Sequence, residues 1–278
     1  MKTIKAIWRA FKRFSNIWSE RHLGVYSSQA AFYMFISLFP FCALLFGIIK
    51  AFPEGNASLA SKAMDMLPAL LGNVLTEAYN AAGEYSAAAI IPITVLFTLW
   101  TASKGMYALS NGLNSAYGSD GAGGIKRRAV SILYTLIFIS VIILSLFLLV
   151  FGNTLHRFFT KLLPGLVKFS LLIKATRAIV LLAIITAFFI LIYKFLAGKK
   201  HRLRDTLPGA VLSGLGWIIL SYGYSLYIDY YVSAGNSLYG SLTAVVLLMF
   251  WLEACMSVTL AGGLLNSYVA RSNADRLP

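Results

Sequence analysis

Several stretches of this chain run for roughly 20 residues with almost no charge, the length an α-helix needs to cross a hydrocarbon core of about 30 Å. A helix that is apolar on every side must be buried all round or sit in lipid. Composition agrees: hydrophobic residues make up 59% of the 278, charged ones 12%, and the mean hydropathy is +0.75. An ordinary soluble domain has roughly 45–50% and about 25% respectively. This balance excludes a disordered chain and an ordinary soluble enzyme. The chain reads as an all-α, polytopic membrane protein with six transmembrane helices plus amphipathic interfacial helices.

The expected spans are Tyr26–Ile49, Ala87–Tyr107, Ala129–Phe151, Ala178–Leu196, Leu207–Ile228 and Leu238–Asn266. Residues 1–25 form a separate amphipathic helix. Ile4, Ile7, Trp8, Phe11, Phe14 and Trp18 recur at helical spacing among Lys2, Lys5, Arg9, Lys12 and Arg13, the pattern of a helix lying on an anionic leaflet. The membrane domain is 26–266 and a short tail covers 267–278. Two segments between spans, 57–83 and 155–172, are amphipathic in their own right. No signal-type cleavage site follows the first apolar run, which reads as a retained helix.

The net charge of +14 is best read through the positive-inside bias of membrane proteins rather than as a nucleic-acid footprint. Of the 24 Lys and Arg residues, 17 fall in the connections on one side of the six-span arrangement and seven on the other. This predicts a multi-pass membrane protein with both termini cytoplasmic, and anionic headgroups as partners of the cytoplasmic face. No nucleic-acid partner is expected, and a homo-oligomer is compatible with the pattern.

Polar residues inside the apolar runs are the candidate sites, because polar groups do not face lipid cheaply. Gln29, Tyr33 and Ser37 recur every fourth residue of the first span, and either bond to neighbouring helices or line a polar cavity. Pro40 removes a backbone donor and frees the carbonyl near Ile36. Trp100, Lys104 and Tyr107 lie at the end of the second span. The aromatics suit an interface, and Lys104 either snorkels or binds an anionic group. Glu253 lies near the middle of the sixth run. A carboxylate there must face the protein interior, find a partner or carry its proton; Ser257 is one turn away. Asp205 or Thr206 is expected to cap the fifth helix, with Pro208 in its first turn. Gly209, Ser213, Gly216 and Gly223 form a small-residue face for close packing.

No catalytic or metal residue is assigned, and no cofactor. His22, His156 and His201 fall in three separate loops, and no HExxH, GxSxG or Walker A pattern occurs. Such chemistry needs converging acid/base pairs or ligand clusters. Cys42 and Cys255 both lie in apolar runs with no partner spacing, so they read as small core residues. The chain is therefore not expected to be an enzyme.

Several motifs in order resemble the YihY / virulence factor BrkB family, also known by the older label ribonuclease BN-like. They are Ala30-Ala31-Phe32-Tyr33 with Ser37-Leu38-Phe39-Pro40, Trp100-Thr101-Ala102-Ser103-Lys104-Gly105 with Leu113-Asn114 and Ala116-Tyr117-Gly118, Pro208-Gly209-Ala210, and Tyr239-Gly240-Ser241-Leu242 leading into Leu248-Met249-Phe250-Trp251-Leu252. The resemblance covers about residues 20 to 270. It implies a bacterial inner-membrane protein of six helices and adds Asn114, Tyr239 and Asn266 to the candidate site. Near the end the family usually reads Gly-Ala-Glu-Leu-Asn, where this chain has Gly262-Gly263-Leu264-Leu265-Asn266. The acid is replaced by Leu264, and Glu253 stands where the family commonly has an aromatic. The two positions are 11 residues apart, close to three helical turns and so on one face.

The expected function is transport or flippase-like handling of an anionic lipid or amphiphile in the cell envelope. The competing reading is a non-transporting scaffold whose polar residues only hold the bundle together. A membrane-bound ribonuclease, as in the older family label, is the remote third.

Overall fold

In the computed structural model of the chain, the described residues are 2–51, 87–119, 128–137, 139–140, 182–197, 202–233 and 240–274. They form α1 (Lys2–Glu20), α2 (Leu23–Ala51), α3 (Ala87–Tyr117), α4 (Arg128–Ile137), α5 (Leu182–Leu196), α6 (Leu203–Ser233) and α7 (Gly240–Ala274). The last turn of α5, Ile192–Leu196, is π-helical. No strand occurs among the described residues. Among the described residues, three stretches are long and apolar enough to cross a membrane: Leu23–Leu44, Leu203–Ile228 and Val245–Asn273. The amphipathic segments 57–83 and 155–172, most of the third expected span and Tyr239 lie outside the described residues.

Several helices outrun the apolar stretches that define them. α3 continues ten residues past Tyr107, and α7 continues to Ala274 rather than ending near Asn266. The extensions carry polar residues that still bury one side. Asn114 and Ser267 are both buried, so packing rather than lipid fixes their helicity.

α6 corrects an expected cap. It begins at Leu203, so Asp205 and Thr206 lie within its first turn and Pro208 stands inside the helix. Thr206 Oγ1 donates back to the Leu203 carbonyl at 2.9 Å instead of capping, and Asp205 Oδ1 accepts from Asn273 Nδ2 at 2.8 Å.

α1 and α2 are joined by a tight turn. His22 sits in the left-handed region at φ 52°, which costs a non-glycine residue about 1–2 kcal/mol. Arg21 holds this turn in place: its Nη1 donates to the carbonyls of Ser115 at 3.1 Å and Ala116 at 2.6 Å, and its own carbonyl accepts from Ser115 Oγ at 2.9 Å. The orphan carbonyls at the end of α3 are thereby satisfied. Phe14, Ile17 and Trp18 of α1 dock on the core, while Trp8 stays exposed.

α2 packs on α3, and α6 on α7, with α7 also against α2 and α3. The core at their junction holds Leu23, Leu109, Leu113, Met256, Leu260 and Leu264. Glycines set the spacing, as small residues do in membrane bundles. A Cβ at Gly209 would strike the Gly262 carbonyl, and one at Gly105 would come within 3.3 Å of the Ala30 carbonyl. Of the expected small-residue face on α6, Gly209, Ser213 and Gly216 meet α7, whereas Gly223 faces open space.

Candidate functional site

The polar residues gather in three places. The first is the contact of α2 with α7. Ser28 Oγ donates to Glu253 Oε1 at 2.6 Å, and Ser257 Oγ donates to Ser27 Oγ at 3.1 Å. Glu253 is half-buried at one side of an open groove of 280 Å³, lined by Ser28, Ala31, Phe32, Val246, Met249 and Phe250. The carboxylate thus meets the requirement set by its position in an apolar run, by bonding to a hydroxyl of a neighbouring helix. Leu264, on the same face of α7, is buried in the core instead.

The second place is the opposite flank of α2. Ser28 and Tyr33 are five residues apart, roughly 140° around the helix axis, so Tyr33 looks towards α3. The Lys104 ammonium lies 5.4 Å from the Tyr33 ring centroid and 5.3 Å from that of Trp100. The guanidinium of Arg128, at the start of α4, lies 5.6 Å from Trp100 and 5.8 Å from Tyr107. Two cations therefore share one indole. Among the described residues neither has a carboxylate partner. Trp100 itself is 59% exposed.

The third place is a buried seam between α5, α6 and α7. Tyr193 OH donates to the Thr259 carbonyl at 2.7 Å and shares a 2.6 Å hydrogen bond with Ser213 Oγ. Trp217 Nε1 donates to the Cys255 carbonyl at 3.0 Å and to Thr259 Oγ1 at 3.1 Å. Asn266 Oδ1 accepts from the Gly209 amide at 2.7 Å. Ser110 Oγ donates to the Leu196 carbonyl at 2.9 Å, tying α3 to the end of the π-turn. Asn114 Nδ2 donates to the Ser110 carbonyl at 2.9 Å. Burial pushes the phenol of Tyr117, at the end of α3 beside Asn266, up to about 12, so it remains a neutral group. Interhelical hydrogen bonds of this kind fix one packing of the helices, although Asn266 Nδ2 is buried with no partner among the described residues.

The structure thus brings together Tyr33, Trp100, Lys104 and Tyr107, and separately Glu253 with Ser257. Tyr33 and Ser37 are not part of the Glu253 groove: Ser37 Oγ donates to its own helix at the Met34 carbonyl, 2.7 Å away. Gln29 is exposed, Pro40 is half-buried inside α2, and Asn114 and Asn266 belong to the buried seam. Sequence reasoning missed Arg128, Ser28 and Tyr193. Arg128 was visible only as one of three consecutive basic residues before a span. Tyr193 was hidden in an apolar run. Among the described residues no three metal-ligating side chains cluster, and Cys42 and Cys255 are buried free thiols.

Long apolar helices stitched by interhelical hydrogen bonds and close glycine contacts define a multi-pass membrane protein. Residues 14–278 match the family described as Virulence factor BrkB, and the chain belongs to that family. It is 26% identical over 242 residues to the ribonuclease-like protein YfkH of Bacillus subtilis (strain 168), a match covering 87% of this chain and 88% of that one. It is 22% identical over 255 residues to a UPF0761 membrane protein of Paraburkholderia xenovorans (strain LB400), covering 90% of this chain and 57% of the relative. No solved structure matches it.

Proposed function

We propose that this membrane protein is a six-span transporter or flippase-like protein of the bacterial inner membrane, with both termini cytoplasmic, acting on an anionic lipid or amphiphile of the envelope. The observation that carries the reading is Lys104, held between the Tyr33 and Trp100 rings with no carboxylate beside it among the described residues. A cation at the end of an apolar helix either snorkels to headgroups or receives an anion, and the ring contacts favour the second role here. Aromatic faces stabilise it and leave its charge unneutralised, which suits a site that receives an anion from outside.

The reading includes no catalytic step. The name of the Bacillus relative concerns that protein, and the three described polar clusters hold hydroxyls, amides, aromatics, one carboxylate and, in a separate cluster, two cations. The Glu253 groove is assigned to helix association in this scheme, because its carboxylate already accepts a hydroxyl bond.

Reconstitution into liposomes tests the proposal. Labelled phosphatidylglycerol should cross the bilayer faster in proteoliposomes than in protein-free vesicles, and faster than labelled phosphatidylcholine. Equal rates with and without protein would favour a scaffold that transports nothing. Cysteine labelling of intact cells tests orientation: position 235 should react from outside and position 121 should not.

A further inference from the structure

We propose that Lys104 and Arg128 together hold the phosphate of an anionic phospholipid whose acyl chains lie along exposed faces of α3 and α4. The inference rests on the reading of the chain as an anionic-amphiphile protein and names the ligand's chemistry and a second binding residue.

The two charges stand against the same ring, 5.3 and 5.6 Å from the Trp100 centroid. They come from two helices onto one residue, and no described carboxylate offsets either charge. Cation–π contact is a weaker compensation than a charge-assisted hydrogen bond to an oxyanion. A phosphate meets the requirement of both cations: the guanidinium offers a planar fork for two oxygens, and the ammonium a compact point charge.

The apolar surroundings specify the rest of the ligand. On α3 the exposed residues Ile93, Leu96 and Phe97 lead at helical spacing to Trp100, where the cations begin. On α4 the exposed residues Ile132, Leu133 and Leu136 follow one turn after Arg128. Each helix therefore carries an apolar stripe with a cation at one end. Indole and phenol rings favour the boundary between headgroups and acyl chains, and Trp100 and Tyr107 stand at that boundary here. Two stripes meeting at two cations match two acyl chains on one phosphodiester, and match a single-chain fatty acid less well.

The test uses the full chain in detergent, titrated with short-chain phosphatidylglycerol, with bound lipid counted by native mass spectrometry. Wild type should bind phosphatidylglycerol in preference to phosphatidylcholine of the same chain length. Lys104→Gln and Arg128→Gln should each weaken that binding about tenfold, the scale of one charge-assisted contact. Lys104→Arg and Arg128→Lys keep the charge and should retain the preference, which separates loss of a ligand contact from loss of fold. Gln variants that bind like wild type would overturn the proposal. So would charge-preserving variants that lose all preference, or inorganic phosphate displacing the lipid at equal concentration. Specific binding without transbilayer movement would remove the transport reading and leave this site standing. Movement of anionic lipid that persists in both Gln variants would remove the site and leave transport.

Discussion

The two flanks of α2 solve the same problem in opposite ways. Towards α7, the buried-run acid Glu253 is met by a hydroxyl at 2.6 Å, and a second hydroxyl pair, Ser257 with Ser27, repeats the stitch one turn further along α7. Towards α3, Lys104 is met by ring faces alone among the described residues. A charge with its hydrogen bond made inside the protein holds helices together. A charge left to aromatic rings keeps its capacity for an external partner. The contrast teaches that polarity within an apolar run is not itself a sign of function; what the neighbouring helix offers decides the role.

Substitutions at three positions sharpen or break this contrast. The largest effect is expected at the α2–α3 contact, which must stay tight to keep Tyr33 over Lys104. Gly105→Leu would drive a side chain into Met34 and the Ala30 backbone and should destabilise the protein by about 2–3 kcal/mol, the upper range for overpacking, read as a lower Tm in detergent. A neutral result would mean that the contact is looser than the structure shows. Next, Glu253→Ala should cost about 1–2 kcal/mol, the scale of an interhelical hydrogen bond, whereas Glu253→Gln should keep the bond and nearly all of the stability. Equal losses for Ala and Gln would show that the charge, not the hydrogen bond, matters on this flank. The smallest effect is expected for Ser257→Ala, about 0.6 kcal/mol, because Ser27 and Ser257 each have only one hydroxyl at stake.

Much of the architecture was legible in the sequence because apolar runs of membrane length admit few structures. The grouping of Trp100, Lys104 and Tyr107 was legible too, since helical periodicity alone places them on one face. Arg128 was not, because its approach to Trp100 depends on how α4 sits against α3, and no local pattern encodes that. Ser28 was passed over because it lies off the Gln29–Tyr33–Ser37 line, on the face that turns out to meet Glu253. Periodicity identified a polar stripe, but the carboxylate's partner came from the other side of the same helix. Thr206 and Asp205 had the residue types of a cap, yet Asn273 at the far end of α7 engages Asp205 and the helix gains a turn.

The most direct test of the contrast compares the two flanks in one assay: transbilayer movement of labelled phosphatidylglycerol in proteoliposomes at equal protein density. Lys104→Gln should slow the movement about tenfold or more, equivalent to about 1.4 kcal/mol in the barrier, while Glu253→Gln should stay within about twofold of wild type. Loss of movement in Glu253→Gln with full activity in Lys104→Gln would contradict the assignment of the two flanks outright.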